Sequence, residues 1–120
     1  MAKILIVDDS KTSRKMLKAA LLSAGHEIVG EADNGEEGFI KYRELKPDLV
    51  TMDITMPTMD GIEALQLIKK ENEDARVIMV TALGQKEKTL LAIKHGATGF
   101  ITKPFDEEEL LKEVENVLEM

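Results

Sequence analysis

The sequence predicts an α/β fold, a doubly wound five-stranded parallel sheet with helices on both faces. Short apolar runs alternate along the chain with longer segments of helical periodicity, which is the pattern of repeated βαβ units. Right-handed crossovers make a sheet covered on both faces the simplest arrangement. No linker, internal repeat or low-complexity tract interrupts the alternation, so a single domain over residues 1–120 is expected.

The first strand is predicted over Ile4–Val7, an apolar run that ends at a pair of aspartates. A helix is expected from about Lys11 to Ala24, because small and apolar residues recur there at helical spacing, and Gly25 can end it. Its predicted buried stripe contains Met16, Leu17, Ala20, Leu21 and Ala24. A second strand over 27–32 has mixed polarity, which places it nearer an edge of the sheet.

A second helix is predicted over 34–45, where Asn34 can cap its start and Pro47 lies just beyond its end. The third strand, over 49–53, leads through a loop into a third helix. The apolar face of that helix contains Ile62, Leu65 and Ile68.

Two further βα units complete the predicted fold. The fourth strand covers 77–80, and its helix is expected from about 86 to 95. The fifth strand covers 100–102, after which Asp106 caps the final helix with Glu109 in the capping-box position. The buried stripe of the final helix contains Leu110, Val114, Val117 and Leu118.

The amino-acid composition of the chain argues against several classes of function. With 43% hydrophobic and 32% charged residues the chain has an ordinary globular profile, and without cysteine it can form neither a disulfide framework nor a thiolate metal site. The formal net charge of −7 argues against direct nucleic-acid binding, because an acidic domain repels a phosphate backbone. No apolar stretch approaches the ~20 residues of a membrane helix, so a cytoplasmic protein without membrane contact is expected.

Four predicted strands end on residues that can handle a phosphoryl group. In open α/β sheets the carboxyl ends of parallel strands share one edge, and ligands bind there. Three carboxylates, a hydroxyl and an ammonium group would therefore converge at that edge. These groups belong to Asp8, Asp9, Asp53, Thr81 and Lys103.

Asp53 is the predicted phosphoryl acceptor. It ends an otherwise apolar strand, where a carboxylate is unfavourable unless it has a function, and carboxylates can act as nucleophiles that form acyl phosphates. Taken alone, Asp53 could equally cap the loop from Ile54 to Pro57. Its acidic and basic companions favour the functional role.

The adjacent carboxylates of Asp8 and Asp9 predict a Mg²⁺ site. A single aspartate would suffice as a helix N-cap, whereas two like charges repel each other and a bound metal resolves the repulsion. Asp9 and Asp53 are expected to be direct ligands, with Asp8 acting partly through water. The backbone carbonyl of Thr55 completes the set, and the metal would neutralise charge on the transferring phosphoryl group.

The other site residues are expected to sense the phosphoryl group. Lys103 is predicted to pair with the phosphoacceptor or with the phosphoryl group, and its peptide bond to Pro104 can be cis. The hydroxyl of Thr81 and the backbone N–H of Ala82 are expected to donate to phosphoryl oxygens. Phe100 is either an ordinary core residue or a switch aromatic that moves inward when Thr81 moves.

Together these motifs resemble the receiver domains of response regulators, and among them the stand-alone chemotaxis regulators of the CheY-like type. The resemblance covers the whole chain and rests on the segments 6–10, 52–61, 81–82 and 99–105. It implies the flavodoxin-like strand order 2-1-3-4-5. It also implies that Asp53 takes its phosphoryl group from a phosphohistidine on a sensor histidine kinase, with Mg²⁺ as cofactor.

By the same resemblance, Lys103 senses the phosphoryl group, while Thr81 and Phe100 relay its arrival to the fourth helix, fifth strand and fifth helix. The implied output partner is a flagellar motor switch protein or a phosphatase, bound by a monomer. The chain departs from chemotaxis members at position 100, where they carry tyrosine, so burial alone would set the rotamer of this phenylalanine. A signalling protein rather than an enzyme is implied, with weak self-phosphorylation from small phosphodonors and self-dephosphorylation.

The leading hypothesis is a phosphorylation-dependent binding switch in chemotaxis at the flagellar motor. One alternative is a phosphorelay or sporulation-type phosphoryl carrier. Another is the receiver of a larger transcription regulator, although no linker follows Met120. A distant alternative is an aspartyl-phosphate hydrolase, which usually needs a second carboxylate where this chain has Thr55.

Overall fold

The computed structural model describes residues 1–120 and consists of strands and helices in strict alternation. The strands are β1 Lys3–Val7, β2 Glu27–Ala32, β3 Leu49–Asp53, β4 Val77–Thr81 and β5 Gly99–Thr102. The helices are α1 Lys11–Ser23, α2 Gly35–Leu45, α3 Gly61–Glu71, α4 Lys86–Lys94 and α5 Glu107–Leu118. None of these helices combines the length and apolar character that a membrane span requires.

All neighbouring strands pair in parallel, in the order β2-β1-β3-β4-β5. This confirms the predicted fold class and strand order, with β2 at an edge. Every residue of β3 and β4 is buried, as expected for central strands covered on both faces.

Successive side chains of each strand enter different cores, because they point to opposite faces of the sheet. Helices α2, α3 and α4 cover one face, where Met52, Leu65 and Met79 are buried. Helices α1 and α5 cover the other face, where Leu17 and Ile78 are buried. This arrangement leaves the carboxyl edge of the sheet open between the loops.

Side-chain caps start every helix except α4. In each capped helix a short side-chain oxygen accepts a backbone N–H of the first turn, which satisfies a donor that has no partner within the helix. The capping residues are Ser10, Asn34, Asp60 and Asp106. Helix α4 begins after Gln85, whose side chain makes no cap bond.

Helix α1 buries a narrower stripe than the sequence predicts. Leu17, Ala20 and Leu21 are buried, whereas Met16 is 54% exposed and Ala24 is also exposed. Neighbouring positions are about 100° apart around an α-helix, since a turn takes about 3.6 residues. The predicted stripe was therefore wrong at Met16, which lies about 100° from Leu17 around the helix. It was also wrong at Ala24, which is the C-cap residue and lies beyond the last helical residue, Ser23.

Candidate functional site

The three aspartates predicted at the carboxyl edge of the sheet lie together. One carboxylate oxygen from each of Asp8, Asp9 and Asp53 lies within 4.8 Å of the others. Asp8 is fully buried, Asp53 is 9% exposed, and Asp9 is exposed to solvent. The cluster thus runs from the protein interior to the surface, and two of its carboxylates are desolvated.

Lys103 supplies the positive charge at this cluster. Its Nζ lies 2.9 Å from Oδ2 of Asp8 and 3.7 Å from Oδ1 of Asp53. The sequence predicted that Lys103 pairs with the phosphoacceptor or with the phosphoryl group. The structure shows in addition a closer contact of Lys103 with Asp8. The Lys103 N–H donates to the carbonyl of Thr81, which fixes the start of the loop after β5, and the Lys103–Pro104 bond is cis.

Asp8 organises the loop between β1 and α1 as well as the acidic cluster. Its Oδ1 accepts the backbone N–H of Ser10 at 2.8 Å, and its backbone carbonyl accepts from the Arg14 guanidinium at 2.7 Å. Its Oδ2, apart from the ion-pair contact with Lys103, has no hydrogen-bond partner. A buried carboxylate oxygen whose only partner is an ammonium group lies in surroundings that suit a cation.

Burial, the largest cause, and the negative charge of Asp8 together raise the pKa of Asp53 from 3.8 to about 6. The Lys103 ammonium opposes this shift, while Asp9 adds to it. A carboxyl group whose pKa is perturbed by burial and by named neighbours in a cleft is typical of functional sites.

The two donors predicted for phosphoryl oxygens are engaged elsewhere in this structure. The hydroxyl of Thr81, which is buried, lies 3.5 Å from the carbonyl of Ile101 and 3.4 Å from Oγ1 of Thr102, both on β5. The backbone N–H of Ala82 donates to Oε1 of Gln85 at 2.7 Å. Both groups stand at the carboxyl end of β4, as predicted, but neither is free.

Gln85 is a site residue that the sequence reasoning missed. Its Nε2 donates to Oγ1 of Thr55 at 2.7 Å, so the same side chain contacts the loops after β3 and after β4. Thr55 was predicted to contribute only its backbone carbonyl. A signal was available, because a glutamine at the N-cap of α4 replaces the short capping residues found at the other helices.

Phe100 is half-buried and packs against the core beneath α2, α3 and α4. It pairs with Met79 across the β4–β5 ladder, and its N–H donates to Oε2 of Glu113 at 2.8 Å. This position is compatible with both interpretations of Phe100, as a core residue and as a switch.

Gly61 keeps the loop after Asp53 compact. Its N–H donates to the carbonyl of Ile54 at 2.7 Å, and a Cβ built on Gly61 would lie 2.0 Å from the carbonyl oxygen of Asp53. We expect Gly61→Ala to lower the free energy of unfolding by ~1–3 kcal/mol or more. The added methyl group would clash with backbone atoms of Asp53 and Ile54, which have to move to make room for it. Urea denaturation measures this loss.

The matched control for this clash is Gly30→Ala in β2. The added Cβ there meets the end of the flexible Leu45 side chain at 2.7 Å. We expect a change below ~1 kcal/mol, since a side chain can rotate away and alanine restricts the unfolded chain more than glycine does. Equal losses for the two variants would contradict the close approach at Gly61.

A family model for the response regulator receiver domain matches residues 4–115 of the chain. The chain belongs to the receiver-domain family of response regulators. This receiver domain is 48% identical over 115 residues to the chemotaxis protein CheY of Thermotoga maritima, and the match covers 96% of each chain. It is 49% identical over 116 residues to the chemotaxis protein CheY of Bacillus subtilis, covering 97% of each.

The fold of this receiver domain also matches a solved structure of the same type. A chain in the crystal structure of the CheX–CheY–BeF3–Mg²⁺ complex from Borrelia burgdorferi superposes with a TM-score of 0.92 at 43% identity. The match covers 96% of this receiver domain and 87% of that chain. CheY-like receiver domains are signalling proteins rather than classical enzymes. Receiver domains bind Mg²⁺ at an acidic pocket, and this chain has a cluster of three aspartates at the carboxyl edge of its sheet.

Proposed function

We propose that this receiver domain is a phosphorylation-dependent binding switch in chemotaxis at the flagellar motor. Asp53 takes its phosphoryl group from the phosphohistidine of a sensor histidine kinase. The observation that carries the proposal is the convergence of Asp53 with Asp8, Asp9 and Lys103 at the carboxyl edge of the sheet. The identity of 48% to a chemotaxis protein supports the chemotaxis part of the proposal.

In the proposed transfer, a carboxylate oxygen of Asp53 attacks phosphorus in line with the departing imidazole nitrogen. The new O–P bond forms as the N–P bond breaks, and the imidazole leaves with the bonding electrons and takes up a proton. The ammonium of Lys103, 3.7 Å from the Asp53 carboxylate, offsets the charge of the incoming group. The hydroxyl of Thr81 and the N–H of Ala82 donate to its oxygens from the β4 side.

The proposed cofactor is Mg²⁺, and the residues present fit it. Asp8 offers a buried carboxylate oxygen that contacts Lys103, Asp9 offers an exposed carboxylate, and Asp53 lies within reach of both. The backbone carbonyl of Thr55 would complete the ligand set. When bound, the metal neutralises negative charge on the transferring group and aligns it.

The proposed output relay uses Thr81 and Phe100. The hydroxyl of Thr81 makes only long contacts with β5, of 3.4 and 3.5 Å, so little is lost when it turns toward a phosphoryl oxygen. That movement opens space beneath α4 for the ring of Phe100. The output partner is then a flagellar motor switch protein, or a partner of the CheX kind seen with the Borrelia relative.

The experiment that tests the proposal is phosphorylation by acetyl phosphate with Mg²⁺, followed by intact-protein mass spectrometry. We expect the parent protein to gain the mass of one phosphoryl group and Asp53→Asn to gain none, because Asp53 is 9% exposed, whereas Asp8, the other carboxylate that contacts Lys103, is fully buried. Asp33→Asn, on the neighbouring loop after β2, is the matched control and should be labelled like the parent. Full labelling of Asp53→Asn would show that the acceptor is another residue.

A further inference from the structure

The side chain of Gln85 bridges the two loops that border the proposed phosphoryl site. Its Oε1 accepts from the N–H of Ala82 and its Nε2 donates to Oγ1 of Thr55, each at 2.7 Å. We infer that Gln85 is a positioning residue whose carboxamide occupies the Ala82 N–H in the unmodified protein and leaves it when Asp53 is phosphorylated. This inference rests on the proposed function, since it concerns the same N–H.

The Ala82 N–H cannot serve both acceptors. A backbone amide carries a single proton, so a hydrogen bond of 2.7 Å to Gln85 must break before a phosphoryl oxygen can accept from the same group. Ala82 follows β4 directly and is exposed to solvent. The carboxamide of Gln85 thus competes, within the molecule, with the ligand that the site is proposed to bind.

The carboxamide is not needed to build α4. Gln85 stands at the N-cap of that helix, but its side chain makes no cap bond. The first turn is held instead by the backbone carbonyl of Gln85, which accepts from the N–H and the hydroxyl of Thr89, each at 2.9 Å. A substitution that removes only the carboxamide therefore leaves the start of α4 intact. Its effect can be attributed to the loss of the hydrogen bonds with Ala82 and Thr55.

The bridge also connects the two sides of the proposed site. Thr55 lies in the loop that follows the phosphoacceptor strand, whereas Ala82 lies in the loop that follows β4. Between Ala82 and Gln85 the chain contains Leu83, 88% exposed, and Gly84 with φ of 87°, so this segment has few contacts that would hold it. Release of the Gln85 carboxamide would therefore remove a side-chain link between the two loops while α4 keeps its start.

The test is the affinity of Gln85→Ala for beryllofluoride, a phosphoryl mimic, at saturating Mg²⁺, measured by titration calorimetry. We expect binding about two- to tenfold tighter than in the parent, the size of one net hydrogen bond removed from the competing state. The affinity for Mg²⁺ alone should change less than the affinity for beryllofluoride, because Gln85 hydrogen-bonds none of the three carboxylates and, at Thr55, contacts only the side chain. Gln66→Ala, an exposed glutamine of α3, is the matched control and should resemble the parent in both titrations.

A second variant tests the same bridge from its other end. Thr55→Val removes the hydroxyl that accepts from Gln85 but keeps the backbone carbonyl, and we expect a smaller gain in beryllofluoride affinity. The double variant should bind no more tightly than Gln85→Ala alone, because both substitutions remove one bridge and residues in contact are not additive. If the gains in beryllofluoride affinity were additive, the two substitutions would act independently, and the proposed role of the Gln85 bridge would be wrong.

The failure of this inference can be told apart from the failure of the proposed function. If the parent binds beryllofluoride and Gln85→Ala binds it equally or more weakly, competition by Gln85 is wrong while the site stands. If the parent binds no beryllofluoride in the presence of Mg²⁺, the proposed phosphoryl site itself is wrong. The amide resonance of Ala82 offers a direct readout, since its hydrogen exchange should accelerate in unmodified Gln85→Ala.

Discussion

Asp53→Asn should stabilise the metal-free protein by about 2–3 kcal/mol at neutral pH. The pKa of Asp53 is raised from 3.8 to about 6, chiefly by burial and by the charge of Asp8. One pKa unit corresponds to about 1.4 kcal/mol of difference between the two protonation states, so the ionised carboxylate is costly in the folded state. Asparagine keeps the shape and removes the charge, while Lys103 retains its contact of 2.9 Å with Asp8.

The direction of the pKa shift of Asp53 determines how the stabilisation by Asp53→Asn depends on pH. Because the folded pKa lies above the unfolded value, the folded state binds the proton more tightly, and the free energy of unfolding falls as the pH rises from about 4 to about 6. The advantage of Asp53→Asn over the parent should therefore be largest above about pH 6 and smaller at about pH 5.

Urea denaturation in the presence of a chelator, at neutral and at mildly acidic pH, measures both effects. Asp74→Asn is a suitable control, because Asp74 is exposed between α3 and β4, at the opposite end of the sheet. We expect that control to change the free energy of unfolding by less than ~0.5 kcal/mol. An Asp53→Asn variant that is less stable than the parent, or whose gain is the same at both pH values, would contradict the buried-carboxylate account.

The sequence predicted where the site lies because strand ends alone determine it. Parallel strands bring their carboxyl ends to one edge, so the residues at or just after the ends of β1, β3, β4 and β5 had to meet. The pattern of strand ends does not determine which contacts each of two neighbouring aspartates makes. Asp8 is buried and contacts Lys103 at 2.9 Å, while Asp9 faces solvent, although both are aspartates next to each other in the chain.

The other differences between the prediction and the structure depend on side-chain conformation, on the width of the buried face of a helix and on strand register. The carboxamide of Gln85 reaches Thr55 and the Ala82 N–H through rotamers that no periodicity reports. The spacing of apolar residues predicted a buried stripe that includes Met16, yet α1 buries only Leu17, Ala20 and Leu21. The pairing of β1 with β2 also shifts register after Ile4, an irregularity with no counterpart in the apolar pattern.

Magnesium should stabilise the protein without any phosphate present. Carboxylates crowded within 4.8 Å repel one another, and a divalent cation bound by the native state alone relieves that repulsion. A ligand specific for the native state adds about 2.7 kcal/mol at a hundredfold excess over its Kd. We therefore expect the Tm of the parent protein to rise with Mg²⁺ concentration and to return on addition of chelator.

Asp9→Ala should lose most of this rise in Tm while leaving the fold intact. Asp9 is exposed and makes no hydrogen bond through its side chain, so its removal takes a proposed metal ligand and a repulsive charge from the cluster without opening a cavity. The metal-free variant should be at least as stable as the metal-free parent for the same reason. Thermal melts of both proteins, with and without Mg²⁺, separate these effects.

Asp74→Ala is the control for this last prediction, since it removes an exposed aspartate outside the cluster and should keep the Mg²⁺ response of the parent. A parent Tm that is indifferent to Mg²⁺ would contradict the metal site. A response that persists in Asp9→Ala would instead restrict the site to the two desolvated carboxylates, Asp8 and Asp53. Asp8 already contacts Lys103 at 2.9 Å, so the metal would then compete with that ammonium for the buried oxygen. An exposed ligand at Asp9 avoids this competition, which is the physical reason to expect it in the coordination set.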